Sequence, residues 1–180
     1  MEGFPTGQFD VVMADPPWRF ASNSKAKPGR NAQRHYECMT TPEIVALPVP
    51  QITAKAAMLF LWATSPMLPE AMETMKAWGF RYVSQLCWDK QGIGTGYWVR
   101  GAHELLLIGK KGRFPAPRPA MFPTSMIREK RREHSRKPDW VHHIIEQRLP
   151  DARKVELFAR EDRPGFTCWG NEIGKFEGAA

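Results

Sequence analysis

Apolar positions along this chain fall into short runs cut by proline, glycine and charge. The first is Phe9–Ala14, whose core Val11, Val12, Met13 and Ala14 predicts a buried strand. It stops at Asp15, because Pro16 and Pro17 have no N–H to give to a sheet ladder. A carboxylate and the Trp18 indole are thereby left at a strand end, where open α/β sheets bind ligands. Ala56–Thr64 reads as a strand buried on both faces, since its apolar run is continuous rather than alternating. Phe80–Lys90, Glu104–Gly109 and Lys154–Ala159 read as further strands, and Thr167–Trp169 as a short last one. Trp140, Val141, Ile144 and Ile145 have helical spacing and predict a helix over Pro138–Leu149. Pro66 and Pro69 frame the start of another, running to Trp78 with Gly79 as its C-cap. Thr41 is the expected N-cap of a short helix that ends before Pro48.

The intervening stretches read as connections. Residues 1–8 are an expected poorly ordered lead-in, 19–35 a long mobile loop, and Lys110–Thr124 a proline-rich loop. Gly92–Gly101 carries four glycines and the pair Tyr97-Trp98, which suits a flexible loop or hairpin. Met126–Lys137 reads equally as helix or mobile segment, and the tail from Gly174 as frayed. Strands alternating with helices predict one α/β domain over residues 1–180 with a largely parallel sheet.

Charge changes this picture, because it is unevenly placed. The chain has 26 Lys+Arg and 19 Asp+Glu, a net of +7 with pI near 9.5. The segments 19–34, 110–118 and 128–137 hold fifteen of the basic and two of the acidic residues, +13 together, which leaves −6 on the rest. Loops this one-sided suit a polyanion such as nucleic acid, with a merely solvated face as the alternative. The candidate phosphate contacts are Lys25, Lys27, Arg30, Lys110, Lys111, Lys130, Arg131 and Arg132.

Composition mainly excludes. Cys38, Cys87 and Cys168 are odd in number and far apart, which argues against a disulfide framework and a CxxC metal site. No histidine joins a cysteine or carboxylate at ligand spacing, so no metal is expected. No apolar run is long enough to span a membrane, and the N-terminus lacks a signal-peptide layout, so a cytoplasmic protein is expected.

The string Asp15-Pro16-Pro17-Trp18 suits chemistry on an amino group attached to a planar base. Such a nitrogen is a poor nucleophile, because its lone pair is delocalised into the ring. Two acceptors facing its two hydrogens favour a tetrahedral nitrogen with an available lone pair. Asp15 supplies one acceptor and the Pro16 carbonyl a second, while Pro17 stiffens the turn and Trp18 offers a stacking face. The bland alternative is a strand-ending Asp-Pro turn. Arg160 also stands just beyond an apolar strand, where a ligand contact is plausible, whereas Trp62, Trp78, Trp88 and Trp140 read as core.

With these motifs in this order, the chain resembles the MT-A seventy-kilodalton family of N(6)-adenine methyltransferases over about residues 9–172. The likeness comprises Val12–Trp18, His35-Tyr36 with Met39-Thr40, Leu59–Trp62, Ala77–Phe80, Trp88-Asp89-Lys90, Glu104 within Gly101–Gly109, Ser135–Pro138, Val155–Arg160 and Trp169–Glu172. The resemblance implies a Rossmann-like S-adenosylmethionine-dependent fold with permuted motif order, the catalytic motif first and the cofactor strand last. It implies that Asp15 and Pro16 hold the target amine near the cofactor's methionine end. It matches Lys137, Arg160, Asn171 and Glu172 to cofactor contacts, and Tyr36 and Glu104 to the target pocket. Asp162 and Arg163 replace a polar pair of the eukaryotic branch. Family members usually carry an acidic residue on a segment ahead of the catalytic strand. Here only eight residues precede Phe9, so that segment reads as missing or replaced, and the adenine side of the cofactor pocket is left unassigned.

The expected activity is methyl transfer to the exocyclic nitrogen of adenine in nucleic acid, with DNA favoured and RNA open. Two alternatives are an inactive nucleic-acid-binding paralogue and a methyltransferase for cytosine or a protein amide. Whether the chain pairs with a copy of itself or with a paralogue is not readable.

Overall fold

The computed structural model describes residues 3–19, 38–94, 96, 98–133 and 135–176. Seven strands form one sheet in the order β5-β3-β4-β2-β1-β6-β7. They are β1 (Phe9–Ala14), β2 (Thr53–Ala63), β3 (Arg81–Asp89), β4 (His103–Lys111), β5 (Met126–Arg128), β6 (Lys154–Leu157) and β7 (Phe166–Trp169). The helices are α1 (Thr41–Val45), α2 (Val49–Ile52), α3 (Leu68–Ala77) and α4 (Asp139–Arg148).

The continuous apolar runs are explained by burial from both sides. In β1, Val12 and Ala14 join one core layer with Leu59, Leu61, Leu107 and Leu157, beneath Ile44, Met75 and Trp78. Val11 and Met13 point the other way, joining Phe60, Trp62 and Leu106 beneath Val141 and Ile145. A run that alternates between two cores leaves no polar face to mark the period.

Four of the six strand pairings are parallel. β4 runs antiparallel to both of its neighbours, β2 and β3. This reversal brings the start of β4 to the end of β2, with Leu105 opposite Ala63, so Glu104 arrives at the same edge as Asp15. The sheet order also switches at β1, which lies between β2 and β6. Ligands bind at such a switch point, outside the carboxyl ends of the strands.

Several expected boundaries are corrected. The N-cap of α1 is Thr40 rather than Thr41, because Thr40 and Glu43 close a reciprocal capping box. Beyond α3, Gly79 adopts φ +85° one residue past the cap at Trp78. There Gly79 N donates to Lys76 O and Phe80 N to Met75 O, each at 3.0 Å, the two bonds of a Schellman motif. β4 extends through Lys111, so the loop expected from Lys110 begins only after it. Met126–Lys137 contains neither expected helix nor wholly irregular chain, since its first three residues pair with β3. β6 ends at Leu157 because Phe158 turns to φ +64°.

Both ends are tied down further than expected. The Phe4 ring packs edge-on against Trp169 at 5.0 Å, and Gln8 Nε2 donates to Gln51 O at 2.8 Å. The tail turns back, with Lys175 N donating to Arg160 O at 3.0 Å. Among the described residues, no helix is long and apolar enough to cross a membrane.

Candidate active site

Asp15 sits just beyond β1, its N–H donating to Leu157 O at 3.4 Å. The prolines then fold the chain sharply. Trp18 N donates to Pro16 O at 2.8 Å, and Met39 N donates to Pro17 O at 2.9 Å. Pro16 O keeps a second lone pair beyond its bond to Trp18, so it remains able to accept from a ligand. Trp18 corrects the sequence expectation. It is only 5% exposed, with its Nε1 donating to Trp62 O at 3.1 Å. The indole braces the turn against β2 rather than presenting an open stacking face.

Cations converge on Asp15 from two later segments. Lys137 Nζ lies 2.6 Å and Arg160 Nη2 3.7 Å from Asp15 Oδ2. Oδ1 accepts no hydrogen bond among the described residues. Lys137 Nζ also lies 3.4 Å from Glu104 Oε2, and Lys90 Nζ 3.0 Å from Glu104 Oε1. Arg160 Nε lies 3.3 Å from Glu172 Oε2, while Nη1 donates to Ser135 O at 3.1 Å. The result is a ladder of alternating charge: Lys90, Glu104, Lys137, Asp15, Arg160, Glu172.

This alternation decides the protonation states. Burial opposes charge on Lys137 and is the largest single influence, yet Asp15 and Glu104 together outweigh it and raise its pKa. Burial likewise opposes charge on Glu104, and Lys137 and Lys90 reverse it, leaving the carboxyl below the usual range. Both groups are therefore charged at neutral pH.

The supports of Lys137 are themselves ion pairs. Arg132 Nη2 donates to the Lys137 carbonyl at 2.9 Å, and its Nη1 meets Asp139 Oδ2 at 2.7 Å. Asp139 opens α4 and also takes Arg163 at 2.7 Å. Burial disfavours its charge, but hydrogen bonds from Arg132 and Arg163 pull its pKa down to about 2. Two residues in left-handed conformations flank the site, Ser135 at φ +67° and Phe158 at φ +64°. Strained backbone of this kind gathers where surrounding structure holds it for a purpose.

Gly170 lets the last strand approach Arg160 closely. Ala159 N donates to Trp169 O at 2.9 Å, and a Cβ on Gly170 would lie 2.3 Å from Ala159 O. Gly170→Ala is expected to cost about 1–3 kcal/mol. It is also expected to shift Arg160 and Glu172. Thermal denaturation checks the loss of stability, and crystallography of the variant checks the shift.

Of the residues singled out in the sequence, Asp15, Pro16, Trp18, Glu104, Lys137 and Arg160 line one cavity of about 50 Å³. Ala63, Thr64 and Ser135 complete its wall. Glu172 reaches it through Arg160, whereas Asn171 is exposed on the following turn. Tyr36, Lys25, Lys27 and Arg30 lie outside the described residues. Lys110 and Lys111 are at the other end of β4, six and seven residues from Glu104, or roughly 20 Å along the strand. They do not border the site. Lys130 and Arg131 are exposed, but Arg132 is committed to Asp139 and Lys137. Residues 128–137 therefore offer fewer cations to a polyanion than their count suggests.

Sequence reasoning assigned no role to Lys90, Thr64 or Ser135. Lys90 had a signal: it directly follows β3 beside the start of β4, where a carboxylate waits. Thr64 lines the cavity, and its Oγ1 is buried without a hydrogen-bond partner among the described residues. A buried orphan hydroxyl beside closely spaced charges of both signs suits a zwitterionic ligand, such as the amino-acid end of S-adenosylmethionine.

The sequence model of the MT-A70 family matches residues 9–172. The Type II methyltransferase M.MunI of Mycoplasma sp is 31% identical over 94% of this chain and 79% of its own length. The MT-A70-like N(6)-adenosine-methyltransferase of Arabidopsis thaliana is 33% identical, and the N(6)-adenosine-methyltransferase catalytic subunit of Homo sapiens 31%. Each of these two matches 93% of this chain, which spans only 24% and 28% of their respective lengths. A seven-stranded, mostly parallel α/β sheet, a strand-end Asp-Pro-Pro-Trp turn and this family match together identify the chain as a member of the MT-A70 family.

Proposed function

We propose that this protein transfers a methyl group to the exocyclic amino nitrogen of adenine in nucleic acid, with DNA favoured over RNA. The observation that carries the reading is the state of Asp15. Its Oδ2 is fixed by Lys137 and Arg160, while Oδ1 and a lone pair of Pro16 O remain to accept hydrogens. Membership of the MT-A70 family supports adenine as the base. DNA is favoured because the relative matched over most of both lengths is a Type II methyltransferase, whereas the adenosine methyltransferases extend far beyond the matched region.

S-adenosylmethionine, when bound, supplies an electrophilic methyl on a sulfonium. The residues present fit its amino-acid end. Lys137 and Arg160 offer donors to a carboxylate, Asp15 and Glu172 offer acceptors to an ammonium or hydroxyls, and Thr64 Oγ1 awaits a partner. The chain's own contribution is to hold the base amino group between two acceptors. That geometry localises the nitrogen lone pair, and the proton leaves after the nitrogen has become cationic, so no strong base is needed. Asp15 lies between two cations and acts as an acceptor. A base inside a duplex must be flipped out of the stack to reach this turn.

Nucleoside mass spectrometry after incubation with S-adenosylmethionine and either DNA or RNA tests the reading. N(6)-methyladenine in DNA is the expected product. A methylated cytosine, methylation of protein alone, or no methylated nucleoside would overturn the adenine assignment, and RNA-only methylation would overturn the DNA preference.

A further inference from the structure

The connection between β3 and β4 leaves the Asp15 end of the sheet as a narrow hairpin. Its neck closes where Lys90 N donates to Ala102 O at 3.0 Å and Gly94 N to Gly101 O at 2.8 Å. A Cβ on Gly94 would lie 2.8 Å from Gly101 O, and one on Gly96 only 1.8 Å from Val99 O. The two glycines thus allow the arms to close on each other and push the tip outward. That tip carries Trp98 at 93% exposed and Val99 at 78%, and Ile93 beside the neck is 75% exposed. Tryptophan is on average among the more buried residues, so an indole this exposed offers an unusually large aromatic face to a ligand.

The surrounding charge indicates what covers it. No acidic residue occurs from Lys90 to His103, and Arg100 beside the tip is exposed. Arg131 packs on the hairpin base: its N donates to Lys90 O at 3.2 Å, and its Nε is 3.6 Å from where a Gly92 Cβ would stand. Arg128 and Lys130 beside it are exposed as well. Protein interfaces also enrich tryptophan and arginine, but they deplete lysine and seldom gather several cations with no acidic residue among them. An aromatic tip beside several exposed cations instead matches a strand whose bases offer π faces and whose phosphates carry negative charge. The hairpin is also anchored to the reaction site, because Lys90 at its base bonds Glu104, which contacts Lys137 on Asp15.

We propose that hairpin 91–101 is a nucleic-acid contact in which Trp98 stacks on an unpaired base near the target nucleotide, with Arg100, Lys130 and Arg131 on the flanking phosphates. It deepens the function proposed above and rests on that reading. Base–aromatic stacking of this kind predicts roughly 5- to 100-fold weaker binding when the ring is removed.

Fluorescence-anisotropy titrations of wild type, Trp98→Ala and Trp98→Phe with labelled single-stranded DNA, duplex DNA and RNA test it. Calorimetry with S-adenosylmethionine and sedimentation velocity run alongside. Trp98→Ala is expected to lose roughly 5- to 100-fold in oligonucleotide affinity, and Trp98→Phe to retain most of it. Cofactor affinity and sedimentation should not change. Oligonucleotide affinity in Trp98→Ala within error of wild type overturns the contact. A dimer that falls to monomer in Trp98→Ala assigns the tip to a second copy of the chain and overturns it too. Wild type that binds oligonucleotide through Trp98 but methylates none removes the function reading and leaves the contact standing. Methylation undiminished in Trp98→Ala at limiting oligonucleotide removes the contact and leaves the function. Wild type that binds none of the three removes the contact outright.

Discussion

Asp15→Asn is expected to cut methyl transfer by at least about 100-fold, a loss comparable to removing one preorganised hydrogen-bonding group from an active site. The substitution keeps size and shape but changes what the group can do. Asp15 now offers Oδ2 to Lys137 and Arg160 and leaves Oδ1 as an acceptor. An asparagine oxygen would turn toward the two cations, which places its NH2 where an amine hydrogen must be received. Donor would then face donor. The fold has little reason to fail, since the bond from residue 15 to Leu157 O is made by the backbone. Turnover is read by nucleoside mass spectrometry, with circular dichroism and thermal denaturation confirming that the variant folds. Activity within a few-fold of wild type in a folded variant would remove the acceptor mechanism.

That Asp15 could be singled out from sequence has a simple physical origin. A strand that stops at two prolines must leave the sheet there, and its last polar side chain is stranded at the edge. Burial of β1 and β2 on both faces was legible for a similar reason, because a continuous apolar run needs two cores. The direction of β4 was not. A strand's hydrophobic pattern is the same read either way, so nothing in Glu104–Gly109 says that it runs antiparallel to β2. Yet that reversal is what brings Glu104 to Asp15 and carries Lys110 and Lys111 to the far end of the sheet.

Charge was the least legible property. The run at 128–137 reads as one basic patch, but its members have separate employment. Arg132 bridges to Asp139, Arg136 lies 3.6 Å from Glu161, and Lys137 enters the site. Only a fold can bring those carboxylates alongside, because they are distributed over residues 15–161. The tail misled for the opposite reason. The tail from Gly174 reads as frayed, but Lys175 N donates to Arg160 O at 3.0 Å and the Arg136 guanidinium lies over the Phe176 ring at 5.2 Å.

Lys137→Met is expected to destabilise the protein by about 3–5 kcal/mol, because it leaves two buried carboxylates facing each other with one central cation removed. For a chain of this size that corresponds to a fall of roughly 6–20 °C in Tm. Asp15 would keep only Arg160 at 3.7 Å, and Glu104 only Lys90 at 3.0 Å. The pH profile carries the same information. Glu104 has a lowered pKa when folded, so its contribution is present above the ordinary value of about 4.3 and lost as pH falls through the folded one. Lys137 has a raised pKa, so its contribution is present below about 10.4 and lost as pH rises through the folded one. The wild-type cluster therefore contributes fully between about pH 4 and 10. In Lys137→Met the alkaline limb due to this group disappears, and the acid limb moves to higher pH because Glu104 has lost its largest stabilising charge. The double variant Lys137→Met/Glu104→Gln should recover much of the Tm, since the uncompensated carboxylate is gone, while methyl transfer stays lost. Recovery of Tm without recovery of turnover separates the electrostatic role of Lys137 in folding from its role at Asp15; an unchanged Tm in Lys137→Met would show that the ladder of charges does not hold this end of the sheet together.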